Sequence, residues 1–417
     1  MVGRSRALAG FAAIAALLFT ACGGSSSGSG AKSPIKIGYL APLTGGSAAP
    51  GQSEKNGWEL GIKDFGNSVD GHPIQTNFLD TQGDPNVALS DARELVTQDN
   101  IDLLEGPLLA NEQAAVWSYI GPQGIPVDDI SECGYAQWQD YLKYGTGFSS
   151  GWTCNQPDIM AADYLYNDLH ITHVTTLGAD YAFGWLSIGG FIAEFKKDGG
   201  TIDKTLWAPI TTSDYGPYVS SIPKNTGAVF AVTVGNGGPT FTSAYYQFGL
   251  KDKIPLFGNT TLTDYSVLPG ENPSAITGII VGAQYCDGIN TSINQTFANE
   301  YHAAYGSYPG YYADAAYTKA RLAITALKKL NGVSTNHKKL IAALKSTSIV
   351  SSRGPVKLSP VTLSPIQNIY ICKVESVNGA LRNVPIKTYN DVQPWGTLGE
   401  TAWKSEYQHA STGRPSA

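Results

Sequence analysis

Charge is scarce in this chain. Asp, Glu, Lys and Arg make up 15% of its 417 residues, and the net charge is −6. No basic stripe is present to neutralise phosphates, so nucleic-acid binding is not expected. The six histidines fall in no pairing pattern such as HExxH, and no CxxC occurs. A zinc or redox centre therefore lacks its usual ligand spacing, and neither metal nor cofactor is expected. Beyond residue 22 there is no second apolar stretch long enough to cross a bilayer, which takes about 20 residues. No short-period repeat is visible either, which removes the solenoid classes.

Glycine (47) and tyrosine (23) are abundant, and the hydrophobic fraction is 42%. That is ample for a core in a chain long enough for two domains, with many turns and polar-aromatic surfaces, as in an exported protein. The amino terminus agrees. Arg4 and Arg6 precede an apolar run over 7–19, and Thr20, Ala21 and Cys22 follow. The pattern predicts an export signal over 1–21 that is removed from the mature chain. Phe19-Thr20-Ala21-Cys22 resembles a bacterial lipobox, with Phe19 in the usual place of leucine. The resemblance implies cleavage before Cys22 and diacylation of its thiol. Residues 22–33, rich in Gly and Ser, then read as a flexible linker. The expected location is the outer face of the cell membrane, held there by lipid.

Four cysteines remain: Cys133, Cys154, Cys286 and Cys372. An even number in an oxidising compartment suggests two disulfides, and four cysteines allow three pairings. The favoured set is Cys133–Cys154, which closes a short loop, and Cys286–Cys372, which joins two predicted strands. In the chain-entropy picture such loops contribute about 3 and about 4–5 kcal/mol.

Apolar periodicity predicts strands at 35–41, 74–80, 101–104 and 125–127, with helices at 51–65, 84–98 and 111–120 between them. The alternation restarts after 150–155. Helices are expected at 158–169, 183–197 and 240–248, and strands at 173–177, 202–207, 229–234, 254–257 and 279–285. Three helices (294–305, 312–330, 338–344) and two strands (355–358, 369–374) complete the pattern. Strand–helix alternation of this kind argues for an α/β fold with parallel sheets in two halves.

The order and spacing of several segments resemble the branched-chain amino-acid (Leu/Ile/Val) binding family of ABC-transporter solute-binding proteins. They are IKIGYLAPLTG (35–45), DTQGDPNVALSDARELV (80–96), GP (106–107), GIP (124–126), ADYAFGW (179–185), FANEYHAAYGSYPGYYADAAY (297–317), RGPVKLS (353–359) and IYICKV (369–374). The resemblance implies a type I periplasmic-binding-protein fold: two Rossmann-like lobes joined by three crossovers near 152, 286 and 350, with a ligand cleft between them. Lobe 1 is expected at 34–152 plus 287–349, lobe 2 at 153–286 plus 350–395, and a tail at 396–417. It also implies a monomer that closes on a small solute, an amino acid or related carboxylate or amide, and hands it to ABC permease subunits. A ligand sensor of the same fold is the alternative.

Candidate contacts follow from the loops after strands, where parallel sheets bind ligands. Ala110 and Asn111 stand where the family commonly has serine or threonine; their backbone donors survive, although Asn111 also suits a helix N-cap. Ser131 and Glu132 follow the fourth strand, and Cys133 matches a family contact position. Asp180 and Tyr181 follow a strand of the second half, with Tyr181 where an aromatic often covers the ligand. Asn236 opens another helix. Thr260 occupies a position that is often acidic in amino-acid-binding relatives, and an ammonium there would lack its counter-charge. An aromatic or other organic acid therefore competes with an amino acid as the solute. Trp152 and Tyr285 flank two crossovers. An enzyme is the rival class, since Gly147-Phe148-Ser149-Ser150-Gly151 matches GxSxG. That motif needs a strand–turn–helix elbow, and 152–157 does not read as an immediate helix, so no catalytic residue is expected.

Overall fold

The computed structural model describes residues 32–64 and 66–415. The export signal, Cys22 and most of the glycine–serine linker lie outside the described residues.

The first lobe is built on strands β1 (Ile35–Ala41), β2 (Ser68–Val69), β3 (His72–Asp80), β4 (Leu103–Glu105), β5 (Val127–Glu132) and β6 (Gly147–Thr153). Their spatial order is β2-β3-β1-β4-β5-β6, parallel throughout except for the short β2–β3 pair. β1 and β5 are buried along nearly their whole length. Both faces are covered by helices, as a parallel sheet requires. The helix Pro85–Glu94 starts where the sequence predicts, because Pro85 pre-sets the first turn and the Asp84 carboxylate accepts from Asn86 N–H at 2.7 Å.

The second lobe carries β7 (His173–Ala179), β8 (Thr201–Ala208), β9 (Val229–Val232), β10 (Leu256–Asn259) and β11 (Ile280–Ala283). To these the returning chain adds β12 (Ile349–Ser351), β13 (Gly354–Leu358), β14 (Pro365–Val377) and β15 (Ala380–Val392). The order is β12-β13-β14-β11-β10-β9-β7-β8, with β15 on β14. β7 to β11 pair in parallel and β12 to β15 antiparallel. The chain passes from β6 into the second lobe, returns after β11 through helix Ser292–Tyr305, and leaves again through β12 and β13.

Helix Tyr311–Lys328 packs along helix Ala48–Asp64 in the first lobe. The approach is close because two glycines line it. A Cβ on Gly57 would sit 2.1 Å from Ala313 O, and one on Gly61 would sit 2.7 Å from Ala320 Cβ. Both favoured disulfides form, Cys133–Cys154 with a Cα separation of 5.1 Å and Cys286–Cys372 with 6.6 Å. Each ties a crossover to a neighbouring strand or strand-end loop.

Several elements escaped the sequence reading, among them the short β2 and β12, the buried β6 and three longer ones. Helix Tyr135–Tyr144 follows β5, β15 forms a long hairpin with β14, and helix Glu400–Ala410 closes the chain. The last helix orders the tail expected at 396–417, for which the sequence reading assigns no element. Trp403 and Tyr407 are fully buried, and they reach both lobes: Trp403 Nε1 donates to Asn155 Oδ1 at 3.0 Å, and Tyr407 donates to Glu132 Oε1 at 2.6 Å.

Candidate functional site

A narrow cavity of about 30 Å³ lies between the lobes at the carboxyl ends of their strands, where parallel sheets place ligands. The first lobe contributes Leu108, Ala110, Ser131 and Trp152, and the second contributes Tyr181, Phe183 and Thr261. Tyr311 and Tyr312, from the start of a first-lobe helix, close one side. Trp152 meets Tyr311 edge-on at 5.1 Å and Tyr312 at 6.1 Å. Five aromatic side chains thus wall the cavity, with the contact preferences aromatic groups bring.

The polar groups of the slot are few. Helix Ala110–Ile120 begins at its edge, and Leu109 offers no side-chain cap. Its first N–H groups have no acceptor within the helix and carry the positive end of its dipole. Ser131 Oγ accepts from Gln113 Nε2 at 3.1 Å, and its proton rests on the disulfide sulfur of Cys133 at 3.1 Å, a weak acceptor that a carboxylate would outcompete. Burial raises the phenols of Tyr181, Tyr311 and Tyr312, so all three stay neutral donors. Burial also raises the carboxyl of Glu112, which accepts from Leu109 N–H at 3.1 Å behind the wall. No residue lining the cavity carries a formal charge.

Of the residues chosen from sequence, Ala110, Ser131, Trp152 and Tyr181 line this cavity together, along with Cys133, whose sulfur is in the disulfide. Asn236 lines a second, outer space at the mouth of the cleft. The others lie elsewhere. Asn111 is exposed and lines neither space. Asp180 turns away to pair with Arg414 and to accept from Trp185 Nε1. Thr260 is buried with its hydroxyl on Gln284, while its neighbour Thr261 faces the cavity. Tyr285 is buried at the second crossover and donates to Asn294 Oδ1 at 2.8 Å. Glu132 is neither a ligand contact nor a solvated loop acid; it is fully buried under Tyr407. Phe183, Tyr311 and Tyr312 were missed, although the last two stand in the quoted segment YPGYYADAAY (308–317) just ahead of a helix. A nearby acid, Asp264, does not face the cavity: it accepts from the N–H groups of Tyr311 at 2.7 Å and Ser266 at 2.8 Å. The GxSxG match runs inside β6, with Ser149 fully buried, so no nucleophile elbow forms.

Burial pushes the Glu132 carboxyl up to about 8, despite hydrogen bonds from Tyr407 and Gly134 that oppose the shift. Its Oε2 has no partner, as suits a carboxyl that keeps its proton. In the unfolded chain a glutamate titrates near 4.3. The folded state therefore holds an extra proton between about pH 4.3 and 8, so stability declines as pH rises through that window. Burial likewise raises Asp158 to about 7. We expect the unfolding free energy from urea titration to be lower at pH 8.5 than at pH 5.5, by a few kcal/mol at about 1.4 kcal/mol per pKa unit. Glu132→Gln removes much of that slope; a slope unchanged in the variant would contradict the assignment.

Known proteins carry the same organisation. The family model described as periplasmic binding protein matches residues 34–380. The chain is 27% identical over 368 residues to Leu/Ile/Val-binding protein homolog 6 of Brucella abortus (strain 2308), covering 85% of this chain and 91% of that one. An ABC transporter substrate-binding protein from Sphaerobacter thermophilus superposes with a TM-score of 0.81 at 30% identity, over 86% of this chain and 98% of that one. A solute-binding protein of an ABC transporter from Rhodopseudomonas palustris BisB5, solved with 3,4-dihydroxy benzoic acid, also gives a TM-score of 0.81. It is 27% identical, over 87% of this chain and 98% of that one. With its two α/β lobes and interlobe cavity, and with the family model spanning most of its length, the chain belongs to the periplasmic binding protein family as a solute-binding protein of an ABC transporter.

Proposed function

We propose that the protein captures a small aromatic carboxylate in the interlobe cavity and delivers it to an ABC permease. One observation carries this reading: the lining holds five aromatic rings and no charged side chain. An aromatic acid brings a single charge, which the helix N-terminus at Ala110 and the hydroxyl of Ser131 can meet. An α-amino acid brings a second charge, and its ammonium would be desolvated without a counter-ion. The Rhodopseudomonas relative crystallised with a dihydroxybenzoate is consistent with that preference. The name of the Brucella relative favours a branched-chain amino acid as the second reading.

A thermal-shift screen separates the two. Benzoate, p-hydroxybenzoate and 3,4-dihydroxybenzoate are set against leucine, isoleucine and valine. A ligand at about 100 times its dissociation constant stabilises by about 2.7 kcal/mol. We expect shifts with the benzoates alone; shifts confined to the amino acids would reverse the assignment. Trp152→Ala removes one wall of the slot and should weaken the benzoate at least tenfold, about 1.4 kcal/mol.

The lipobox-like segment ending at Cys22 supports an extracytoplasmic body tethered by lipid, with residues 22–33 as the spacer. Cys22→Ala is then expected to release the mature chain from the membrane fraction. Retention of the variant there would argue for another mode of attachment.

A further inference from the structure

The cleft continues outward past the aromatic slot. Ser47, Leu109, Tyr181 and Val234 wall both the inner cavity and an outer, solvent-open space of about 410 Å³. The two chambers differ in chemistry. The outer wall takes Gln82 from the first lobe and Thr211, Thr212, Ser213 and Asn236 from the second. Among the described residues none of these five side chains has a hydrogen-bond partner within the protein, unlike their neighbour Thr240, whose hydroxyl donates to Asn236 O at 2.8 Å. No residue of the outer wall is charged, and Leu109 and Ile210 supply apolar patches beside the polar groups.

Hydroxyls and primary amides both donate and accept. A wall made of them, without charge, suits a neutral group that is itself rich in hydroxyls. An anionic or cationic substituent would find no partner of opposite sign there. The inner end of the cleft fixes the orientation. With the carboxylate at Ala110 and Ser131, which belong to the inner cavity only, the far side of an aromatic ring emerges past Tyr181 and Leu109 into the outer chamber.

We propose that the outer chamber is a second subsite, which binds a neutral polyhydroxylated substituent, glycosyl-like in character, carried on the ring of an aromatic acid held in the inner slot. The proposal rests on the aromatic-carboxylate reading above and extends it to a larger substrate class.

Calorimetric titration of the full chain with p-hydroxybenzoate and with its phenolic O-glucoside tests it. Two new neutral hydrogen bonds should make the glucoside bind at least about fivefold more tightly than the parent acid. Replacing Thr212→Val and Ser213→Ala together should remove most of that gain while changing the affinity for the parent less than twofold. A glucoside that binds more weakly than the parent would overturn the subsite, as would substitutions that affect both compounds equally or neither. If neither compound binds while leucine does, the aromatic-acid reading fails and the subsite with it. That outcome is distinct from one in which the parent binds and the glucoside does not.

Discussion

Trp403→Ala is expected to destabilise the protein by about 3–5 kcal/mol, the range for truncating a large buried aromatic. Trp403 is fully buried although it lies fourteen positions before the last residue. It stacks on Tyr407 with ring centroids 4.5 Å apart and meets Trp138 at 5.7 Å. Its indole N–H donates to Asn155, at the start of the second lobe. The helix that carries it packs on helix Ala182–Lys197 of that lobe. Tyr407, one turn on, donates to Glu132 of the first lobe. Removing the indole therefore opens a cavity, orphans a buried amide and loosens a contact between lobes. A urea titration followed by far-ultraviolet circular dichroism measures the effect. Trp403→Phe, which keeps most of the volume, should lose markedly less. A loss below about 1 kcal/mol for the alanine variant would show that the terminal helix is not docked as described.

Lys319→Met is the second substitution of large effect, again about 3–5 kcal/mol. Lys319 lies on the helix behind the cavity and is fully buried. Its ammonium stands 2.9 Å from Glu105 and donates to Asp128 O at 2.5 Å. Burial alone would lower its pKa, but Glu105 and Asp128 outweigh that and hold it protonated. Methionine matches the stem but leaves Glu105 buried beside Asp128 and Asp129 with no cation. The cost comes from that uncompensated acid rather than from the worth of the pair. Lys319→Met combined with Glu105→Gln should accordingly recover much of the loss. If the double variant is as unstable as the sum of the singles, the ion pair is not the origin of the effect. A parallel arrangement links the third crossover, where Arg353 donates to Ser150 O at 2.7 Å and faces Asp314 at 3.4 Å. The Arg353 cluster ties the third crossover to β6 and to helix Tyr311–Lys328, whereas the Lys319 cluster lies inside the first lobe.

Much of the scaffold was legible because its signals are local. β1 is a near-continuous apolar run, and Asp84-Pro85 marks a helix start by its own chemistry. The slot was legible in part, since Ala110, Ser131, Trp152 and Tyr181 lie at strand ends and crossovers, where parallel sheets place ligands. Glu132 misled because alternation along β5 does not reveal what covers it, and its cover, Tyr407, is 275 residues away. From Asn378 onward, proline, glycine and polar residues mask the order of the chain. Two finer signals were present there. Asn378-Gly379 is a hairpin turn signature, and both residues do adopt positive φ, 53° and 84°. Trp403, Tyr407 and Ala410 repeat at helical spacing and form the buried face of the last helix. Phe183 and Tyr311 could not be assigned to the slot from spacing alone, because their convergence depends on how one lobe faces the other.

The central claim is that a small carboxylate is held between the lobes by aromatic walls and a helix N-terminus. A crystal structure of the protein grown with 3,4-dihydroxybenzoate tests it most directly. The account predicts ring density between Trp152 and Tyr181, with the carboxylate on the N–H groups that open helix Ala110–Ile120 and on Ser131. Density for the compound outside the interlobe cleft, or a cleft left empty under saturating ligand, would contradict it.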